Sequence, residues 1–382
     1  MFKRLLAFVV IVFCITKIDA QTDTTQHYPK SVEWITDVAE WGIDLITFER
    51  ENYTFFVIPM AGYEERTKFS FGVMPVWRFY LNNSDEDSEY FRPSNISPSV
   101  MISTTGMYEL DLSSGFYTNN NWLFENKWLF QFMPDRFYGI GNQDKGDIYS
   151  DFDMEKFEFT GTVSKGLSNT VFLGVNYDLG FFDISNISGT TLNQDVLGYE
   201  GGFVMGIGPT AYYDSRDNIS YPSSGQYLAI SYDYYFGDYD FSSFKIDARN
   251  YIKLSENDKV LAFQAYLNSA YGDVPFFRMP TLGGKRLFRG IDRPYKYMDT
   301  NVAYLQAEYR SPLWWRIGYV LNTGVGNVFN NWDNSIVEDV HVMFGAGFRF
   351  QLLPKEKLSF RADFGMTNRG DKGIYFTLGE AF

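Results

Sequence analysis

Along the second half of this chain, apolar and polar residues alternate almost one for one. QYLAISYDYYFG (226–237) sets Leu228, Ile230, Tyr232, Tyr234 and Phe236 on one face and Ala229, Ser231, Asp233 and Gly237 on the other. FKIDARNYIKL (244–254) opposes Phe244, Ile246, Ala248, Ile252 and Leu254 to Lys245, Asp247, Arg249 and Lys253. KLSFRADFGM (357–366) opposes Leu358, Phe360, Ala362 and Phe364 to Ser359, Arg361, Asp363 and Gly365. A period of two marks a strand with one apolar face. The pattern predicts strands near 53–63, 68–81, 97–106, 107–117, 122–133, 154–165, 170–182 and 203–214. Eight more follow near 226–236, 244–254, 259–271, 301–310, 316–328, 341–352, 358–366 and 373–382. Their connections differ in length: 255–258 and 353–357 are tight, whereas 135–153, 183–200 and 273–300 are long and polar.

Alternation fits a soluble sandwich, whose apolar faces meet in a core. It also fits a membrane barrel, whose apolar faces meet lipid while polar faces line a lumen. Strand length separates the two. A tilted membrane strand needs about 9–11 residues, whereas soluble strands average about 5–6. The expected fold is all-β: a 16-stranded antiparallel transmembrane β-barrel, with short turns at one end and longer loops at the other.

Residues 31–46 follow a helical period instead. Trp34, Val38, Trp41 and Leu45 share one face, and Glu33, Asp37, Glu40 and Asp44 the other. Pro29 and Ser31 suit a helix start. The segment reads as a short amphipathic helix, either lying in the membrane interface with Trp at headgroup depth or packed on, or plugging, the barrel mouth. The acidic polar face leaves both readings open, because interfacial helices usually carry Lys and Arg there.

Composition then narrows the setting. Aromatic residues make up 19% of the chain, which suits a barrel with aromatic girdles at both lipid–water interfaces. The N-terminus pairs basic Lys3 and Arg4 with an apolar run, Leu5–Ile15, and ends on a small residue, Ala20. This is the form of a cleaved secretory signal. The expected division is signal 1–20, periplasmic helix segment 21–47 and barrel 48–382. The formal charge is −14; removing Lys3, Arg4, Lys17 and Asp19, a net of +2, leaves −14 − 2 = −16. Nucleic-acid binding is excluded on this balance. Cys14 is the only cysteine and lies within the signal, so no disulfide or thiolate chemistry is expected.

Catalytic chemistry has little to stand on. His27 and His341 are far apart in sequence, so no zinc site is expected. No G-x-S-x-G nucleophile elbow occurs. Neither 83–91 nor the Asp144, Asp147, Asp151, Asp153 group has an EF-hand pattern, and both read as solvated loops. The expectation is no enzyme, no cofactor and no metal.

Four stretches together resemble the bacterial surface-antigen superfamily of outer-membrane barrels, which includes the BamA and TamA assembly factors. GPTAYYDSRDNISYPSSGQYL (208–228) is similar to the family's strand–turn–strand, and GGKRLFRGIDRPY (283–295) to its R-G loop motif. DRFYGIGN (135–142) resembles a segment of the shorter members. GIYFTLGEAF (373–382) carries a terminal strand signal, with Ile374, Phe376, Leu378 and Phe382 alternating. The resemblance implies a barrel closed by pairing first and last strands, 53–63 with 373–382, at a seam that Gly373 and Gly379 would loosen. It also implies a loop folded into the lumen, with Arg289, Gly290 and Ile291 at its centre and Arg289 held on the inner wall. Alternation turns Gln306, Glu308 and Arg310 inward on one strand and Asn322 on the next, so Glu308, Asn322 and Asp363 are the expected partners. Asn322 stands where the family usually has an aspartate. Too few residues precede the first strand for a POTRA domain, so none is expected.

The implied function is outer-membrane biogenesis in a Gram-negative bacterium: insertion or assembly of proteins, or lipid handling. The implied partners are outer-membrane lipids, client barrels or a separate periplasmic protein, and a second copy of the chain. The competing reading is a non-insertase barrel, structural, oligomeric or a plugged channel, that keeps only the fold.

Overall fold

The computed structural model describes residues 47–50, 53–64, 66–81, 93–118, 120–143, 146, 148–219, 221–255, 258–293, 295–314, 316–333, 336–353 and 358–382. The signal segment and the 31–46 helix, with Trp34, Val38, Trp41 and Leu45, lie outside the described residues. So does the side chain of Leu378.

Seventeen strands form one sheet. They are β1 (Thr47–Arg50), β2 (Tyr53–Glu64), β3 (Lys68–Phe79), β4 (Ser94–Ser103), β5 (Tyr108–Tyr117), β6 (Trp122–Phe137), β7 (Ser150–Gly166), β8 (Val171–Ser188) and β9 (Gly201–Asp214). Then come β10 (Gly225–Gly237), β11 (Phe241–Ser255), β12 (Lys259–Gly272), β13 (Asn301–Trp314), β14 (Ile317–Phe329), β15 (His341–Leu353), β16 (Leu358–Thr367) and β17 (Lys372–Leu378). Each strand from β2 onward pairs antiparallel with the next. β17 adjoins β2, so β2–β17 make a nearly closed barrel of sixteen antiparallel strands.

Burial follows the inverted sense that lipid demands. Outward Phe69, Phe344 and Leu321 are 57%, 57% and 53% exposed, while lumenal Glu308, Arg361 and Asp363 are 0%, 0% and 2% exposed. A soluble sandwich would show the opposite. Charges hidden and aromatics bare is the arrangement of a barrel whose solvent is hydrocarbon.

Two regions depart from the expected pattern. β6, β7 and β8 have 16, 17 and 18 residues, more than crossing a bilayer requires. Their extra length lies at the long-loop end, where the inward side chains turn apolar. Phe152, Met154, Phe182 and Ile184 pack there with Phe276, Phe277 and Met298 of the 273–300 connection. There the outward side chains, such as Asp151, Asp153 and Glu155, are polar, so the apolar face switches from outside to inside; a constant outward apolar face therefore places the start of β7 four residues late and the end of β8 six residues early. The result is an apolar roof across one end of the lumen.

The other departure is the seam. The last strand was expected to run to Phe382; it stops at Leu378. Gly379 takes a left-handed φ of 72°, which glycine reaches without steric cost, and the tail turns inward. Ile374 and Phe376 face out, 46% and 39% exposed, but Phe382 is buried against Tyr251, Val260 and Ala262. β17 therefore offers seven residues to the twelve of β2. The other edge of β2 is filled along its full length by β3. The four residues of β1 thus pair with Tyr53–Phe56 on the seam edge itself.

The inversion is testable with nitroxide labels, placed on single cysteines in a Cys14→Ser background. Labels at Phe344 and Phe364 in vesicles should be relaxed by dissolved oxygen. A label at Ser359 should respond instead to a polar nickel reagent, and equal responses at the three positions would contradict this architecture.

Candidate functional site

The 28-residue connection from β12 to β13 (273–300) does not cover the barrel from outside; it descends into it. A single 3-10 turn, Phe276–Arg278, enters first. Arg278 reaches β8, donating from Nη1 and Nη2 to Asp178 at 3.1 and 2.8 Å, and lies 3.2 Å from Glu158 of β7. Further on, Gly284 and Phe288 bridge to make a small hairpin tip. Leu282, Phe288 and Ile291 are buried there with Tyr304, Val328 and Met343.

Arg289 follows the tip and is fully buried. Its Nη2 donates to Glu308 of β13, and its Nη1 donates to Asp363 of β16 at 3.1 Å. Burial works against the cation, but the Glu308 and Asp363 carboxylates outweigh it and raise the Arg289 pKa above the ordinary guanidinium value. The charge is therefore fixed, and both acids are held by it.

Register explains how the loop comes so close. Glu308, Asn322, Gly345, Gly365 and Gly373 lie side by side across β13 to β17. The loop backbone lies on the glycine end of this row: a Cβ on Gly365 or Gly373 would stand 2.5 or 2.6 Å from the Arg289 carbonyl oxygen. Gly373 thus has a docking reason to be glycine, beside the seam. The Tyr375 hydroxyl completes the dock, donating to the Ile291 carbonyl at 2.8 Å. Gly290 is buried against Thr367.

Asn322 faces the same space but is no partner of Arg289. Both its amide atoms are buried without a hydrogen bond. Arg289 spends Nη1 and Nη2 on the two carboxylates, and its Nε, like the Asn322 amide, is buried without a hydrogen bond.

The network is wider than alternation alone could reveal. Arg310 donates from Nε to Glu308 at 2.7 Å, from Nη1 to the Pro222 carbonyl at 3.2 Å and from Nη2 to the Phe382 carbonyl at 2.7 Å. Arg349 Nε binds Glu380 of the inturned tail at 3.1 and 2.9 Å, and Nη1 binds Asp363 at 2.7 Å. Arg361 Nη2 holds the Lys285 carbonyl at the loop tip at 2.7 Å. At the roof, Arg293 donates to the Tyr138 hydroxyl and the Gly141 amide to the Met298 carbonyl. Of the stretches singled out in the sequence, 135–142 thus meets the loop that contains 283–295, and 208–228 joins the same lumenal network through Arg310. Among the described residues, no group of three or more His, Cys, Asp or Glu could hold a metal ion.

Comparison with known proteins gives a consistent picture. The Omp85 superfamily domain matches residues 95–382. BamA from Haemophilus ducreyi lacking POTRA domains 1–3 is similar in structure, with TM-score 0.56 and 13% identity over 87% of this chain and 70% of that one. CdiB from Acinetobacter baumannii has TM-score 0.53 and 12% identity over 86% and 60%. CdiB from Escherichia coli has TM-score 0.56 and 11% identity over 87% and 63%. The chain thus spans 60% to 70% of the length of these three, and at such identities the likeness is one of fold. No curated protein matches the chain in sequence.

Removing one member of a buried, hydrogen-bonded charge pair costs about 3–5 kcal/mol. Arg289→Ala should therefore lower the stability of the vesicle-inserted barrel by about that amount, read from urea unfolding. Asn322→Leu removes two unsatisfied polar atoms and should cost less than about 1 kcal/mol or stabilise. A large loss from Asn322→Leu together with a negligible one from Arg289→Ala would reverse the roles of these two residues.

Proposed function

Since the chain belongs to the Omp85 superfamily, we propose that it works in the outer membrane of a Gram-negative bacterium, assisting strands of other barrels, or lipids, into that membrane. The seam carries this reading. β17 can satisfy at most seven of the twelve residues on the facing edge of β2, and Tyr53–Phe56 pair with the four-residue β1 instead. Backbone groups at such an edge must be paired in hydrocarbon, and a short pairing is the one most readily exchanged for another strand. A client strand would bond to the edge of β2 as β1 yields it. Client barrels would be the partners, delivered directly or by a separate periplasmic protein.

The loop supports a division of labour. With 273–300 roofed by apolar residues and fixed by Arg278 and Arg289, the lumen is a brace rather than a conduit. The same filling supports a second reading, a plugged structural barrel that keeps the fold without assisting anything. Neither reading calls for a reacting group, and neither involves catalysis.

Reconstitution separates them. Vesicles carrying the barrel should fold an added, unrelated outer-membrane protein several-fold faster than empty vesicles. Locking the seam with a cysteine pair on β2 and β17, scanned near Gly62 and Phe376, should abolish the gain, and reduction should restore it. No acceleration by the unlocked barrel would leave the structural reading. In planar bilayers no steady conductance is expected under either; a persistent open pore would overturn the brace.

A further inference from the structure

The cluster around Arg289 leaves donors over. Four guanidinium groups, on Arg289, Arg310, Arg349 and Arg361, face three carboxylate side chains, on Glu308, Asp363 and Glu380. The main-chain oxygens of Phe382, the last residue, and of Pro222 complete Arg310. Arg349 Nη2 is buried and makes no hydrogen bond, standing 4.0 Å from the Glu308 carboxylate. Arg361 Nε and Nη1 are likewise buried without a hydrogen bond, although Nε lies 3.2 Å from Asp363. Buried donors without acceptors are costly and mark a place where an acceptor is wanted.

Beside Arg310 and Arg349, at the short-turn end, lies a cavity of about 90 Å³, room for several waters or one small oxyanion. A third arginine, Arg316 of the β13–β14 turn, also lines it. Its one carboxylate, Asp258, lies 3.8 Å from Lys253 Nζ. Ser359, Gln351 and Tyr221 add neutral hydroxyl and amide groups. Burial and the Glu380 carboxylate push the Tyr221 phenol up to about 12, so it keeps its proton and remains a donor at neutral pH. The chain as a whole carries a formal −14. It has no general attraction for anions, and any anion it holds must be held locally.

We propose that this cavity is an oxyanion site, built for a phosphate group. Guanidinium groups match phosphate oxygens in geometry as well as in charge, and the hydroxyl and amide groups complete a tetrahedral acceptor. The cavity sits at the barrel rim, so the phosphate could arrive free in solution or on a lipid headgroup from the adjoining leaflet.

The test uses the full chain in zwitterionic detergent. Thermal unfolding, followed by tryptophan fluorescence, is measured during titration with inorganic phosphate at constant ionic strength, with chloride as the control. A saturable rise in Tm is expected with phosphate alone. Arg316→Gln, Gln351→Ala and Ser359→Ala, each shown to be folded by heat-modifiable migration, should weaken it. The arginine change should do so about tenfold or more, as expected for a lost hydrogen bond to a charged group. A second arm places the same proteins in nanodiscs of phosphatidylglycerol or phosphatidylcholine and reads retained lipid by native mass spectrometry. Lipid retained by wild type, lost in the variants and displaced by phosphate assigns the site to a headgroup. Phosphate binding without retained lipid assigns it to the free anion. Equal effects of chloride and phosphate, or three variants that bind as wild type does, would overturn the proposal.

Discussion

The ion pair that Arg289 makes with Glu308 and Asp363 is the constraint on which the interior depends. A guanidinium taken wholly out of water must have its charge answered nearby, and here the answers come from two different strands. β13 supplies Glu308, and β16, three strands away, supplies Asp363. One side chain of one loop thereby fixes the distance between them. The glycines at 365 and 373 let the loop backbone lie close enough for this, and the remaining arginines extend the same logic to the β9–β10 turn and the inturned tail. Hydrophobic packing plays the matching part at the opposite end of the loop, where Phe276 and Phe277 seal the roof.

This arrangement inverts the usual logic of protein folding. The outer surface needs only apolar side chains of strand-forming type, because lipid accepts them in any order. Specificity has moved to the lumen, where polar groups must find partners one by one. That is why the inner wall of β13–β17 carries buried Arg, Glu, Asp, Asn and Gly, while the outer wall of the same strands repeats Leu, Phe, Val and Tyr.

The difference decides what could be read from the sequence. Alternation depends on neighbours two residues apart, so strand number, the fold class and the inward direction of Glu308, Asn322 and Asp363 were all legible. Arg289 was legible through the motif around it. What alternation cannot supply is register, the pairing of strands with each other. Arg349 and Arg361 are cross-strand neighbours, yet nothing local in FRF or SFRAD says so. Nor does Gly379 announce that it will leave the strand: in the sequence, Phe382 simply continues the beat of Ile374 and Phe376. Arg278 was missed because its partners Glu158 and Asp178 lie a hundred or more residues upstream, and alternation does not say which strand a loop residue will meet.

The lopsided placement of these tethers has a mechanical meaning. Arg278 ties the loop to β7 and β8; Arg289, Tyr375 and Arg361 tie it to β13, β16 and β17. The wall from β7 round to β17 is therefore trussed by one internal strut, and none of these tethers reaches β2–β5. Stress applied to the closure would concentrate on the unbraced side. β17 would act as the fixed jamb and β2, hinged on its neighbours, as the leaf that swings.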